Sequence, residues 1–125
     1  MKQFKEMSET EQEIMEVLWE SGSPKTLNEL LDFFAEKREK VWKPQTLATF
    51  MSRLIEKELL IWERRGRAKY YRPALTKSEY EGAKARGVLD SLFSGSLQSF
   101  MAALYDGDAL SAQDIDDLKR WLEAK

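Results

Sequence analysis

The sequence contains no cysteine and no histidine among its 125 residues. Without cysteine there are no disulfides and no thiolate nucleophiles, and without histidine there is no imidazole base. Zinc sites built from these two ligands are excluded too, and we expect no metal or cofactor. The acids and bases that remain are carboxylates, lysines and tyrosines, and no cluster of them stands at a recognisable catalytic spacing. The sequence therefore argues against an enzyme.

Long hydrophobic runs are also lacking, although 42% of the residues are apolar and 34% are charged, as in a folded globular protein. No apolar run reaches the length that crosses a membrane. Residues 1–6 lack the apolar core of a signal peptide. We therefore expect a cytoplasmic protein with one domain, or with one small domain and an appendage.

The charges are distributed unevenly, although the formal net charge is only −2. Residues 1–36 carry a net charge of −6, residues 37–72 carry +7, and residues 73–125 carry −3. A basic segment inside an acidic chain is typical of a surface that binds a polyanion such as DNA. The alternative is a solvated helix face whose charges are balanced by acidic neighbours in space.

Three helix starts can be recognised in the first half of the chain. Capping boxes at Ser8–Glu11 and Thr26–Glu29 each place a hydroxyl before a helix and a carboxylate three residues later. Pro44 suits the first position of a third helix, which we expect to run to about Leu59. Apolar residues recur at helical spacing after each start, so each helix is predicted to bury one face.

The residues that follow the third helix have the pattern of a β-hairpin. Leu59–Arg64 is rich in strand-forming residues, Arg65–Lys69 is predicted to form the turn, and Tyr70–Arg72 forms the returning strand before Pro73. An isolated hairpin is marginally stable, so this one must pack on the helices. Three helices followed by a hairpin predict a winged helix-turn-helix domain.

The last 50 or so residues are predicted to be helical again. Helix starts at Thr76–Glu79 and Ser111 are separated by a break at Ser94–Ser96. We predict a mainly α fold with a small β-hairpin, in which residues 1–74 form a winged-helix DNA-binding domain and residues 75–125 a helical dimerisation domain.

This carboxyl-terminal arm is too short for an independent core, yet it keeps apolar faces, which favours packing against a second copy of the chain. The alternative is that the arm folds back on its own winged head. The residues expected at the dimer interface are Leu89, Leu92, Phe93, Leu97, Phe100, Met101, Leu104, Ile115, Leu118 and Leu122.

The polar face of the third helix has the chemistry of a DNA-reading surface. A recognition helix presents its amino-terminal half to base edges in the major groove, and this face has no carboxylate until Glu56. The hairpin tip is basic around Gly66 and suits phosphates or a minor groove. The flanking DNA backbone could be held by Lys37, Arg38 and Lys40. The candidate contacts are Lys43, Gln45, Thr46, Thr49 and Arg53 on the helix, and Arg64, Arg65, Arg67 and Lys69 on the hairpin.

Several segments resemble the BlaI/MecI/CopY family of penicillinase repressors. The most specific is Val41–Leu54, which has the pattern Trp-x-Pro-x-Thr-x-x-Thr-x-x-x-Arg-Leu, and Ser8–Trp19 and Arg65–Tyr71 are similar to the family as well. The resemblance covers nearly the whole chain. It implies a homodimeric repressor whose two winged heads bind a two-fold symmetric operator. It also implies contacts from Pro44, Gln45, Thr46, Thr49 and Arg53 on the helix and from Arg67 and Lys69 on the wing.

The chain departs from the family at three points. The family has a lysine-type residue where Gln45 stands, so the operator sequence is expected to differ. Members that respond to β-lactams are cleaved at an Asn-Phe bond by a partner membrane protease, but the matching pair here is Ala103-Leu104. Copper-responsive members carry a carboxyl-terminal cysteine motif, and this chain has none. A sensor or protease partner is implied only by the resemblance.

A second hypothesis is a protein-interaction module built on a winged helix that no longer binds DNA. The acidic segment 1–36 is compatible with that role. Charge reversal at Arg65 and Arg67 discriminates between the two hypotheses, because it weakens DNA binding only if the wing contacts DNA.

Overall fold

A computed structural model of the chain describes residues 5–125, which form six helices and one two-stranded antiparallel sheet. The lack of a signal peptide was predicted from residues 1–6, and residues 1–4 of that segment lie outside the described residues. Within residues 5–125, no helix is long and apolar enough to cross a membrane. The elements are α1 (Glu9–Ser21), α2 (Leu27–Lys37), α3 (Pro44–Glu56), β1 (Leu60–Arg65), β2 (Ala68–Pro73), α4 (Lys77–Phe93), α5 (Leu97–Asp106) and α6 (Ala112–Glu123). The predicted mainly helical fold with a small hairpin is confirmed.

The chain divides into two compact units, Met1–Ala83 and Lys84–Lys125. The first unit extends past the expected domain end at residue 74 because the start of α4 packs on α1. Tyr80 is buried, with its ring centroid 5.6 Å from that of Trp19, and the Trp19 indole donates a hydrogen bond to the Leu75 carbonyl at 3.0 Å. The core of the first unit consists of Met7, Ile14, Met15, Val17, Leu18, Leu30, Phe34, Leu47, Met51, Leu54, Leu59, Leu60 and Tyr80.

The helices begin where the capping signals predict. The Ser8 and Thr26 hydroxyls accept hydrogen bonds from backbone amides three residues later, and the carboxylates at those positions bond back to the cap amides. Pro44 is the first residue of α3, and its missing N–H removes a donor that would have no helical partner there. Local sequence therefore determines these three starts.

The predicted end of the third helix, near Leu59, is wrong: α3 ends at Glu56. Glu58 has a left-handed φ of 63°, and the Leu59 amide donates to the Leu54 carbonyl at 3.0 Å. These two features are typical of a Schellman-type helix end. Leu59 is buried beyond this end, and β1 begins one residue later, at Leu60.

The hairpin turn is tighter than predicted. Arg65 pairs with Ala68 in the sheet, which leaves only Gly66 and Arg67 in the turn. The φ of +64° at Gly66 suits glycine at the first position of a two-residue hairpin turn. Pro73 is the last residue of β2, opposite Leu60, rather than the residue that follows the strand.

A third extended segment joins the sheet at one position, and the sequence analysis did not predict it. The Lys25 amide donates to the Tyr71 carbonyl at 2.9 Å, and the Tyr71 amide donates to the Lys25 carbonyl at 2.7 Å. This bridge attaches β2 to the segment between α1 and α2. The wing is therefore anchored to the helices of the first unit by backbone hydrogen bonds.

Candidate nucleic-acid interface

Packing of α3 determines which of its residues face solvent. Leu47, Met51 and Leu54 are at most 1% exposed and belong to the core. Their burial leaves the opposite side of the helix in solvent. We call this side the recognition face; it consists of Lys43, Pro44, Gln45, Thr46, Thr49 and Arg53, all of which are exposed.

An aromatic stack holds the start of α3. The ring centroid of Trp42 lies 4.6 Å from that of Phe34, which is fully buried, and 6.0 Å from that of Phe50. Trp42 is thus clamped between α2 and α3, immediately before Lys43. From the sequence, Trp42 was predicted only as part of the family pattern. An aromatic residue just before a proline-led helix is the signal for this anchoring role.

The recognition face is polar and free of acidic groups over its first turn. Thr49 donates its hydroxyl proton to the Gln45 carbonyl at 3.0 Å, which leaves its methyl group and oxygen for an incoming partner. The Arg53 guanidinium carbon lies 5.9 Å from the Phe50 ring centroid. Within residues 5–125, no ion pair involves Lys43 or Arg53. Both cations are therefore available to phosphates or base edges, and the amino-terminal end of the helix dipole adds positive potential.

The four predicted hairpin cations differ in their surroundings, and Arg64 is exposed with no ion pair among the described residues. The Arg65 guanidinium binds the Glu63 carboxylate at 2.6 Å and lies 5.1 Å from the Tyr70 ring centroid. The Lys69 ammonium lies 4.3 Å from the Trp62 ring centroid. Arg67 occupies the turn, is exposed, and has no ion pair among the described residues. Arg64 and Arg67 can therefore approach DNA without first breaking a contact among the described residues, whereas Arg65 and Lys69 cannot.

Two of the three cations predicted to hold the flanking backbone, Arg38 and Lys40, are already engaged by α1. The Lys40 ammonium contacts the Glu13 carboxylate at 2.5 Å, and the Arg38 guanidinium contacts it at 3.4 Å. Arg38 also lies over the Phe33 ring at 5.8 Å. Arg38 and Lys40 would therefore have to leave Glu13 before they could hold the flanking DNA backbone.

A buried ion pair connects the start of α1 to the end of α3. From the sequence, Glu11 was predicted only as part of the capping box of the first helix. It does cap the helix, but it is only 1% exposed and its carboxylate accepts a hydrogen bond from the Lys57 ammonium at 2.6 Å. Burial raises the pKa of Glu11, but hydrogen bonds from Lys57 and Ser8 outweigh burial and hold the pKa below its ordinary value. The pair supports the interface by fixing α3 against α1.

The residues predicted for dimerisation lie in the second unit, and none of them is buried. No residue from 84 to 125 is fully buried. The Phe93 and Phe100 rings pack edge to face with centroids 5.2 Å apart. The most exposed of the predicted residues are Leu92 at 72%, Leu97 at 64% and Leu122 at 56%. The half-buried ones are Leu89, Phe93, Phe100, Met101, Leu104, Ile115 and Leu118.

Comparison with known proteins places the chain among repressors. Residues 7–124 match the penicillinase repressor family. The penicillinase repressor of Bacillus licheniformis is 32% identical over 123 residues, which cover 98% of this chain and 94% of that protein. The methicillin resistance regulatory protein MecI of Mammaliicoccus sciuri is 21% identical over 120 residues, which cover 96% of this chain and 95% of MecI.

The fold comparison agrees with the sequence comparison. The DNA-binding domain of the repressor BlaI superposes with a TM-score of 0.53 at 32% identity, covering 64% of this chain and 94% of that domain. Monomeric B. licheniformis BlaI in complex with the blaP half-operator superposes with a TM-score of 0.51, at the same identity and coverage. These matches confirm the predicted winged-helix head. The match over residues 7–124 and the 32% identity along almost the full length show that the chain belongs to the penicillinase repressor family.

Proposed function

We propose that this protein is a transcriptional repressor that binds a two-fold symmetric operator as a homodimer. In this proposal α3 enters the major groove and the wing lies on the flanking backbone or in the adjacent minor groove. Members of its family are repressors rather than enzymes. A relative with 32% identity is solved in complex with a half-operator.

The recognition face is the observation that carries the proposal. Its exposed side chains suit base edges: Gln45 matches the donor and acceptor pair of adenine, Thr46 and Thr49 offer methyl groups to thymine, and Arg53 suits guanine or phosphate. The buried side of α3 and the Trp42 stack hold these groups on a rigid helix. A rigid, acid-free polar face has no evident role in the packing of the first unit, but it fits the surface of DNA.

The homodimer part of the proposal is supported by the second unit. Residues 84–125 include no fully buried residue, so this unit cannot form a stable core by itself. The exposed leucines at positions 92, 97 and 122 would be covered by the same surface of a second copy in a two-fold dimer. Two heads joined in this way would read half-sites about one helical turn apart, roughly 34–36 Å.

The test is fluorescence anisotropy of the full-length protein on labelled duplexes tiled across the DNA that flanks its own gene. Each duplex is compared with a scrambled version at two salt concentrations. We expect one segment to bind at least about a thousandfold more tightly than its scrambled version, with a steep loss of affinity at higher salt. If every tiled duplex binds weakly and equally, fragments of the whole genome are selected for binding. Equal, weak binding to all of those fragments would contradict the proposal.

Matched arginine variants connect the binding to the recognition face. Arg53→Ala removes a free cation from that face, whereas Arg120→Ala removes an exposed arginine from α6 that pairs with Asp117. Arg53→Ala should weaken binding to the selected duplex, and Arg120→Ala should not. Equal affinities for the two variants would show that α3 is not the reading element.

A further inference from the structure

The contact of Glu13 with Arg38 and Lys40 has no role in the core of the first unit. The Glu13 side chain is 22% exposed, and the two cations are 37% and 42% exposed. Exposed ion pairs of this kind contribute little to stability. The three side chains lie at the surface, where an incoming phosphate could compete with the carboxylate.

The position of the two cations places them beside the DNA in the proposed complex. Lys40 lies three residues before Lys43, the cap of α3, and the Lys40 amide bonds to the Phe34 carbonyl at 2.9 Å. The link between α2 and α3 is thus held against the first unit. When α3 enters a major groove, the link that leads into it runs next to the bordering phosphates.

We propose that Glu13 competes with phosphate for Arg38 and Lys40 and so limits the sequence-independent affinity of the repressor for DNA. This inference rests on the proposed function. Phosphate contacts add affinity on every sequence without reading any of them. A carboxylate that occupies two cations therefore lowers binding to all DNA, and the recognition face still provides the discrimination between sequences.

The test is the salt dependence of binding for Glu13→Gln, which removes the charge and keeps the size of the side chain. Each cation released to a phosphate steepens the slope of log K against log salt by about 0.9. With both cations released, the loss of affinity between 50 mM and 200 mM salt should grow by about 12-fold. Affinity at 50 mM salt should rise on the operator and on the scrambled duplex alike.

The matched control is Glu9→Gln, which removes the same charge one helical turn earlier on α1. Glu9 lines the same surface depression as Glu13 but forms no ion pair with Arg38 or Lys40 among the described residues. Its variant reports the effect of removing a nearby negative charge that pairs with neither cation. A second variant, Glu13→Gln combined with Arg38→Gln and Lys40→Gln, should lose the gain that Glu13→Gln produces.

The outcomes separate this inference from the proposed function. If the wild-type protein binds one duplex selectively and Glu13→Gln has the same slope as Glu9→Gln, the inference is overturned and the repressor proposal stands. If Glu13→Gln binds more weakly than wild type, Glu13 positions the link for binding, and the inference is overturned too. If the wild-type protein shows no selective binding, the proposed function itself fails.

Discussion

Lys57→Met should destabilise the protein more than Glu11→Gln, although each removes one member of the same ion pair. The Glu11 side chain is 2% exposed and that of Lys57 is 18% exposed. Within the described residues, the second carboxylate oxygen of Glu11 is buried without a hydrogen-bond partner. Loss of Lys57 therefore leaves an uncompensated charge in the core, while loss of the Glu11 charge leaves an ammonium that can reach water.

The expected losses of unfolding free energy differ several-fold between Lys57→Met and Glu11→Gln. Breaking a buried pair by removing the cation costs about 3–5 kcal/mol, a large part of the roughly 5–15 kcal/mol that stabilises a domain. Glutamine at position 11 still accepts from the Ser8 amide, so it retains the capping box and should cost about 1 kcal/mol. The measurement is urea unfolding of the full-length protein, followed by tryptophan fluorescence at one fixed protein concentration.

The pH dependence of the unfolding free energy provides an independent check, because the direction of the expected change is known. The pKa of Glu11 lies below its ordinary value of 4.5, so its ionised form stabilises the wild type above that pH, and this stability is lost as the pH falls through the lower value. In Lys57→Met the burial of Glu11 remains without the cation, so the pKa of Glu11 lies higher than in the wild type and less stability is lost as the pH falls. The difference in unfolding free energy between wild type and Lys57→Met should therefore shrink as the pH falls from about 7 to about 4.

The exposed pair between Lys77 and Glu16, 2.9 Å apart, provides the control. Lys77→Met should leave the urea midpoint close to that of the wild type, because both side chains remain in contact with water. The reasoning is refuted if Glu11→Gln is as destabilising as Lys57→Met, or if the difference between Lys57→Met and wild type grows at low pH.

Three further predictions concern the DNA-binding head and the arm. If Arg53 reads a base, Arg53→Ala should weaken operator binding by about 1–3 kcal/mol and relax one operator position, whereas a uniform loss across sequences in anisotropy titrations would make it a phosphate anchor. Trp42→Ala should destabilise the fold by about 3 kcal/mol in urea unfolding and weaken DNA binding, because it removes the ring stacked on Phe34, while Trp42→Phe should retain most of both. Leu92→Glu should convert a dimer into monomers in light scattering without lowering helix content, since Leu92 is 72% exposed in the single chain; a dimer that persists would show that Leu92 lies outside the interface.

Much of the first unit could be predicted because its signals are local. A capping box joins residues only three positions apart, and the apolar period of a helix identifies its buried side without knowledge of its neighbours. The same reasoning predicted the recognition face of α3 and its lack of acidic groups. The family pattern around Trp42 and Pro44 added the expectation of operator binding, and the comparisons confirm the family.

The errors occurred where the backbone leaves regular structure. The end of α3 depends on the left-handed conformation of Glu58, a residue type that rarely adopts it. The tight turn depends on pairing between Arg65 and Ala68, which is a property of two strands together. The bridge between Lys25 and Tyr71 involves too few residues to produce any periodic pattern.

Sequence alone specified the order of the elements, the basic middle segment and the polar side chains on the exposed face of α3, because those properties depend on neighbours along the chain. Tertiary structure determined which of the basic side chains are paired with carboxylates. It placed Glu13 on Arg38 and Lys40, Glu11 on Lys57, and Glu63 on Arg65. The first two sets of contacts join α1 to residues that follow α2 and α3, and the third depends on the strand conformation of β1. A count of basic residues therefore overestimates the cations that are immediately available to DNA, since carboxylates brought close by folding already bind some of them.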